Sequence, residues 1–153
     1  MKTNLKKTTL ILFSVAAALM GCYFWLTSRS GEIIAVHEDG NYSSILVKKF
    51  PMTDKGKINW WLKNKDMLKS HYDIPKPAVY GGYNVTFWDF GDGYKENKYD
   101  RLCFDDMQVK MNCIDKKPLF TIKRFNHERE IFITYEGRYK LKDDGKIIKV
   151  NRE

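Results

Sequence analysis

Two kinds of apolar pattern divide this chain. From Leu10 to Leu26 every position is apolar except Ser14 and Gly21. From Glu32 onward, apolar residues alternate with polar ones or recur at helical spacing, as they do in a folded domain. The 21 residues Thr8–Ser28 contain no charge and lie between Lys7 and Arg29. A helix of that length spans roughly 30 Å at ~1.5 Å per residue, about one hydrocarbon core. The pattern predicts a cytoplasmic tail at residues 1–7, a transmembrane segment at 8–28 and one domain at 29–153.

Three readings of the apolar segment compete. A cleaved signal peptide would use Leu10–Met20 as its core, but the run continues through Tyr23-Phe24-Trp25-Leu26 with no clear cleavage site. A lipoprotein would be acylated at Cys22, because Leu19-Met20-Gly21-Cys22 has the spacing that processing needs. That would leave an aromatic run beside the lipid where a polar tether is expected. An uncleaved signal anchor fits the length best and makes Tyr23, Phe24 and Trp25 an interfacial aromatic belt. Lys2, Lys6 and Lys7 precede the segment and only Arg29 closely follows it. The bias of basic residues toward the cytoplasm then sends the domain to the periplasm in all three readings.

Within the domain, Glu32–Glu38 and Ser43–Phe50 predict a hairpin turned at Asp39-Gly40-Asn41, where Gly40 takes positive φ without a Cβ clash. Alternation puts Ile45 and Val47 on one face of the second strand and Leu46 and Phe50 on the other. Thr53 or Asp54 caps a helix over Lys57–His71, with Ile58, Trp61, Leu62 and Leu68 as its apolar stripe. Pro75 and Pro77 close it. Tyr83–Phe90 is the strongest strand pattern in the chain, and Tyr99–Phe104 is expected to return beside it. Leu119–Lys123, Glu130–Tyr135, Arg138–Leu141 and Ile147–Val150 read as a meander. The fold expected is α+β: an N-terminal transmembrane helix, then a mostly antiparallel sheet with one packed helix.

Charge changes this picture little. Beyond Lys7 the chain carries 24 basic against 19 acidic side chains, and the two signs alternate. That argues for a solvated mixed surface over a nucleic-acid interface, and leaves room for contact with anionic headgroups or an acidic partner. Cys103 and Cys113 are the only thiols beyond the apolar segment. In an oxidising compartment they would pair.

No motif in the chain implies a cofactor, a metal or a catalytic centre. His37, His71 and His127 are scattered and read as surface or capping residues. Asp89, Asp92, Asp100, Asp105 and Asp106 are the densest acidic group, yet their spacing misses the calcium-loop register. They read as turn residues and solvated charges. An enzyme working through them is the least favoured reading. Trp60 and Trp61 read as core, with an exposed platform as the alternative.

Several stretches together carry a resemblance. They are Ile34-Ala35-Val36-His37, Asp39-Gly40-Asn41-Tyr42, Phe50-Pro51, Thr53 through Leu62, Phe87-Trp88-Asp89-Phe90-Gly91-Asp92-Gly93-Tyr94 and Asp100-Arg101-Leu102-Cys103-Phe104. The chain resembles the enterobacterial membrane protein family known as domain of unknown function 943. The resemblance implies a small single-pass envelope protein of Gram-negative bacteria and carries over no catalytic residue. By analogy of class, such proteins often serve as immunity partners of toxins. The expectation is a non-enzymatic inner-membrane protein that binds another protein, with an apolar patch near Trp60, Tyr80 or Tyr83 as the contact. The alternative is an accessory or structural subunit of an envelope assembly.

Overall fold

A computed structural model describes residues 2–27 and 29–151, so the expected segment ends at Met1, Ser28 and Glu153 lie outside the described residues. Helix α1 spans Lys2–Thr27. It takes in the residues expected as a tail, because neither Pro nor Gly occurs before Gly21. Thr8 and Ser14 return their hydroxyls to the carbonyls of Asn4 and Ile11, both at 2.8 Å. Asn4–Leu26 is long and apolar enough to cross a membrane. Its Leu10, Phe13 and Leu19 side chains are exposed and belong to neither core cluster of the domain.

The domain is built on β1 (Glu32–Asp39), β2 (Tyr42–Lys48), α2 (Asp54–Tyr72), β3 (Tyr83–Asp89), β4 (Arg101–Cys103), β5 (Cys113–Asp115), β6 (Pro118–Arg124), β7 (Ile131–Ile133), β8 (Arg138–Leu141) and β9 (Ile147–Val150). Seven strands form one sheet in the order β1-β2-β3-β6-β7-β8-β9, and β4 with β5 form a second, small one. All pairings are antiparallel except β2 with β3. That parallel pair is what makes α2 a crossover: it leaves the end of β2 and returns to the start of β3. Thr53 caps α2, its Oγ1 accepting from Gly56 N at 3.0 Å. Asp54 is turned elsewhere and accepts from Thr134 Oγ1 (2.8 Å) and Tyr139 OH (2.6 Å).

One face of the large sheet packs on α2. Ile45, Val47, Val85, Phe87, Phe120, Ile122 and Phe132 meet Ile58, Trp61 and Leu68 there. Full burial of each large apolar side chain stabilises the domain by about 1.5–3 kcal/mol. The opposite face is covered over part of its area by the small sheet, where Leu46 packs on Phe104 and Ile114.

Two expectations from the pattern are corrected. Phe50 joins Ile45 and Val47, not Leu46. Lys49 has φ of 51°, a left-handed turn that breaks the alternation and swings Phe50 to the α2 side. The Tyr99–Phe104 stretch does not return beside β3: β6 holds that edge, and β4 pairs with β5 instead. A three-residue strand followed by Phe104 buries more by lying over Leu46 than by extending an already filled sheet.

Candidate functional site

A cavity of about 410 Å³ lies where the small sheet leans over the large one. His37 and Asp39 of β1, Tyr42 and Ser44 of β2, and Asn84, Thr86 and Trp88 of β3 line the large-sheet wall. The segment Leu102–Asp106 lines the other wall.

His37 reaches this cavity because β1 carries a bulge. The register steps from Ile33↔Val47 to Ala35↔Leu46, leaving Ile34 as an extra residue. The bulge puts Ile33 on the α2 face and turns Ala35 and His37 to the opposite one. His37 is 8% exposed. Its ring stacks on Phe104 with centroids 3.9 Å apart and 13° between the planes. Nδ1 lies 2.9 Å from both oxygens of Asp106, and Nε2 lies 2.7 Å from Tyr94 OH. A carboxylate only accepts, so the Nδ1 proton faces Asp106. Burial, with the Asp106 charge second, pushes the Tyr94 phenol above its ordinary range.

The cavity is acidic. Glu38, Asp39, Asp105 and Asp106 all border it. Lys76 Nζ pairs with Glu38 at 2.7 Å and His37 holds Asp106, while Asp39 and Asp105 have no ion-pair partner among the described residues. Trp88 lines the same space, and its buried Nε1 has no acceptor among the described residues. An unpaired indole donor costs free energy until an oxygen meets it. The cavity thus has net negative charge at its border and an unsatisfied donor buried in its wall.

Next to it stands an exposed aromatic pair. Tyr42 is 59% and Tyr80 58% exposed, and Val79 beside Tyr80 is fully exposed. Asn41 joins them: its Nδ2 donates to Tyr80 OH and to Gly82 O, both at 3.2 Å.

The residues singled out from the sequence do not all gather here. Tyr80 is on this surface. Trp60 (8% exposed), which read as core with a platform as the alternative, and Tyr83 (4%) are both core residues and lie off this surface. Trp60 Nε1 donates to Ser30 O at 2.6 Å, and its ring packs edge-on against Phe50 and Phe87. Tyr83 donates to Glu130, which also accepts from Trp61 Nε1 at 3.1 Å. Cys103 and Cys113 face each other across β4 and β5 as a disulfide. Cys22 lies inside α1, exposed and unpaired. His37, expected at the surface, is the buried centre of the site. Asp105 and Asp106 reach the cavity, whereas Asp92 and Asp100 stay solvated in ion pairs with Lys95 and Lys116. Among the described residues no group of three or more His, Cys, Asp or Glu is placed to hold a metal ion.

These features define a class: one candidate membrane span at the N-terminus, followed by an α+β domain with a polar cavity between two sheets. The chain belongs to the family described as "Enterobacterial putative membrane protein (DUF943)", which matches over residues 2–151. That membership supports membrane association through α1. No curated protein and no solved structure matches the chain.

Proposed function

We propose that this is a non-enzymatic inner-membrane protein whose domain sits in the periplasm and works by binding another protein, as an immunity protein does against a toxin acting in that compartment. The observation that carries the reading is the exposed Tyr42–Tyr80 pair beside an acidic cavity with an unsatisfied donor. Exposed tyrosines supply large contact area at low entropic cost, and aromatic anchors dominate protein interfaces. The partner that fits is a loop with a basic side chain for Asp39 and Asp105.

Strand direction supports the placement. The chain leaves α1 beside the start of β1, and β1 runs for eight residues before the Gly40 turn. At ~3.3 Å per residue the Tyr42–Tyr80 surface stands roughly 25 Å from that start. A toxin approaching the membrane would meet it first, and tethering raises the local concentration of the inhibitor there.

The test is crosslinking in living cells with a photoreactive residue at Tyr42 or Tyr80, and at exposed Tyr135 as control. The reading expects one discrete adduct from both test positions and none from the control. It also expects Tyr42→Ala with Tyr80→Ala to abolish capture of that partner. Equal crosslinking at all three positions would remove the assignment of this surface.

A further inference from the structure

The end of the domain where the chain leaves α1 carries a different charge from the end that holds the aromatic pair. Strand directions fix which parts share that end. Beta1 starts there, so β2 and its parallel neighbour β3 finish there, and α2 begins there. Arg29, Lys48, Lys49, Lys55 and Lys57 therefore lie together at the proximal end. Arg29, Lys49 and Lys57 line one shallow depression with Met52 and Phe50. None of the five cations has a carboxylate partner among the described residues. Elsewhere on the domain Lys69, Lys76, Lys95 and Arg129 are paired, while Lys63, Lys65, Lys140 and Lys142 have no carboxylate partner among the described residues. Asp89 lines the same depression, and Glu32 and Glu136 are further acids at this end. Asp54 is occupied by Thr134 and Tyr139.

These cations cannot move far from the helix. Gly31 N donates to Lys49 O at 3.1 Å, and Trp60 Nε1 holds Ser30 O. Gly31 sits against Trp60 and Phe50 so closely that a Cβ would lie 2.7 Å from Trp60 Nε1. From Thr27 to Gly31 is four residues, at most about 14 Å of chain. Tyr23, Phe24 and Trp25 have the composition of an interfacial belt, and the Arg29 guanidinium lies 5.1 Å from the Trp25 ring centre. Exposed Met52 lies on the loop between Lys49 and Lys57.

We propose that this proximal face is a docking surface for anionic phospholipid headgroups, seating the domain on the bilayer that α1 crosses. Unpaired cations within reach of a negative surface are drawn to it, and the tether holds them there. The domain is then held by two attachments, a helix in the lipid and a basic face upon it. The cavity and its tyrosines point away from the membrane as a result. The proposal does not depend on what the cavity binds.

The test uses the full chain in lipid nanodiscs, with phosphatidylcholine alone or mixed with phosphatidylglycerol. Lysines are acetylated with a neutral anhydride and the rates read by mass spectrometry. Lys48, Lys49 and Lys57 should react about fivefold more slowly in the anionic discs, the fold-change equivalent to about 1 kcal/mol per basic side chain at such a surface. High salt should restore their rates. Lys142 and Lys146, at the β8–β9 turn on the far end, serve as internal controls and should not change. Equal rates at Lys48, Lys49 and Lys57 in the two lipids would overturn the proposal. So would an equal slowing at Lys142 and Lys146.

Discussion

His37 Nδ1 is shared between the two carboxylate oxygens of Asp106, 2.9 Å from each, although 69 positions separate the residues. The contact ties the loop after β4 to the second face of β1 and so closes one side of the cavity. Asp106 is 44% exposed at its side chain, so the ion-pair part is screened. The coupling in a His37→Ala, Asp106→Asn double-mutant cycle should be about 1 kcal/mol. His37→Ala alone should cost more, about 2 kcal/mol, because it also removes the Phe104 stack and the Tyr94 hydrogen bond. Urea unfolding of the detergent-solubilised chain measures both. A His37→Ala cost no larger than that of Asp106→Asn would show that the stack contributes nothing.

The junction between helix and domain should be equally sensitive. Gly31 has φ of +65°, and its missing Cβ leaves room for Trp60. Gly31→Ala should therefore destabilise the domain by more than 1 kcal/mol, through strain and displacement together. Trp60→Phe loses the bond to Ser30 and part of the buried ring, a cost of more than about 1 kcal/mol. Hydrogen exchange at residues 29–32 should speed up in both variants.

The chain wrote its elements clearly and its assembly poorly. Alternation in Tyr83–Asp89 sent Val85 and Phe87 to one side and Trp88 to the other, as found. The stripe Ile58, Trp61, Leu68 placed α2 on the sheet for the same reason. His37 was illegible because its direction depends on the Ile34 bulge, and its partner is set by tertiary packing of a distant loop. Strict alternation across Ile33–His37 would have sent Ile33 and His37 to the same face. Tyr83 was expected near an exposed apolar patch. Its burial depends on Glu130, on a neighbouring edge that no local pattern announces.

Alkaline stability should follow two phenols that donate to carboxylates, Tyr83 and Tyr139. The hydrogen bond to Asp54, then burial, pushes Tyr139 up to about 12, and burial, then Glu130, raises Tyr83 further. A raised folded pKa gives stability that is whole below the unfolded value near 10 and is lost as pH rises through the folded value. The domain should weaken between pH 10 and 12. Absorbance of tyrosinate should show Tyr83, Tyr94 and Tyr139 ionising only as the domain unfolds. Tyr139→Phe should show a shallower loss over that range. Ionisation of Tyr83 and Tyr139 near pH 10 in folded protein would refute the argument.

The apolar helix has a tether role under the binding reading and a contact role under the assembly reading. Its side chains from Leu10 to Trp25 are exposed along its length, so either is open to a substitution test. Replacing Leu10–Leu26 with an unrelated spanning segment should leave protection of the cell intact. Loss of function with normal membrane insertion would favour an accessory subunit that works through α1.

The cystine makes a prediction about both the cavity and the compartment. Cys103 and Cys113 clasp the ends of β4 and β5, and the ten-residue separation between them includes Asp105 and Asp106. Opening the bridge frees the loop that forms one cavity wall. In the chain-entropy account a loop of this size is worth about 2–3 kcal/mol. Cys103→Ser with Cys113→Ser should lower stability by that amount and speed hydrogen exchange in residues 104–112, with the α2 face of the sheet unaffected. In cells, a membrane-permeant maleimide added before lysis should leave Cys103 and Cys113 unlabelled under the proposed periplasmic placement, where the environment is oxidising. Labelling of all three cysteines would place the domain in a reducing compartment, and the orientation drawn from Lys2, Lys6 and Lys7 would have to be reversed.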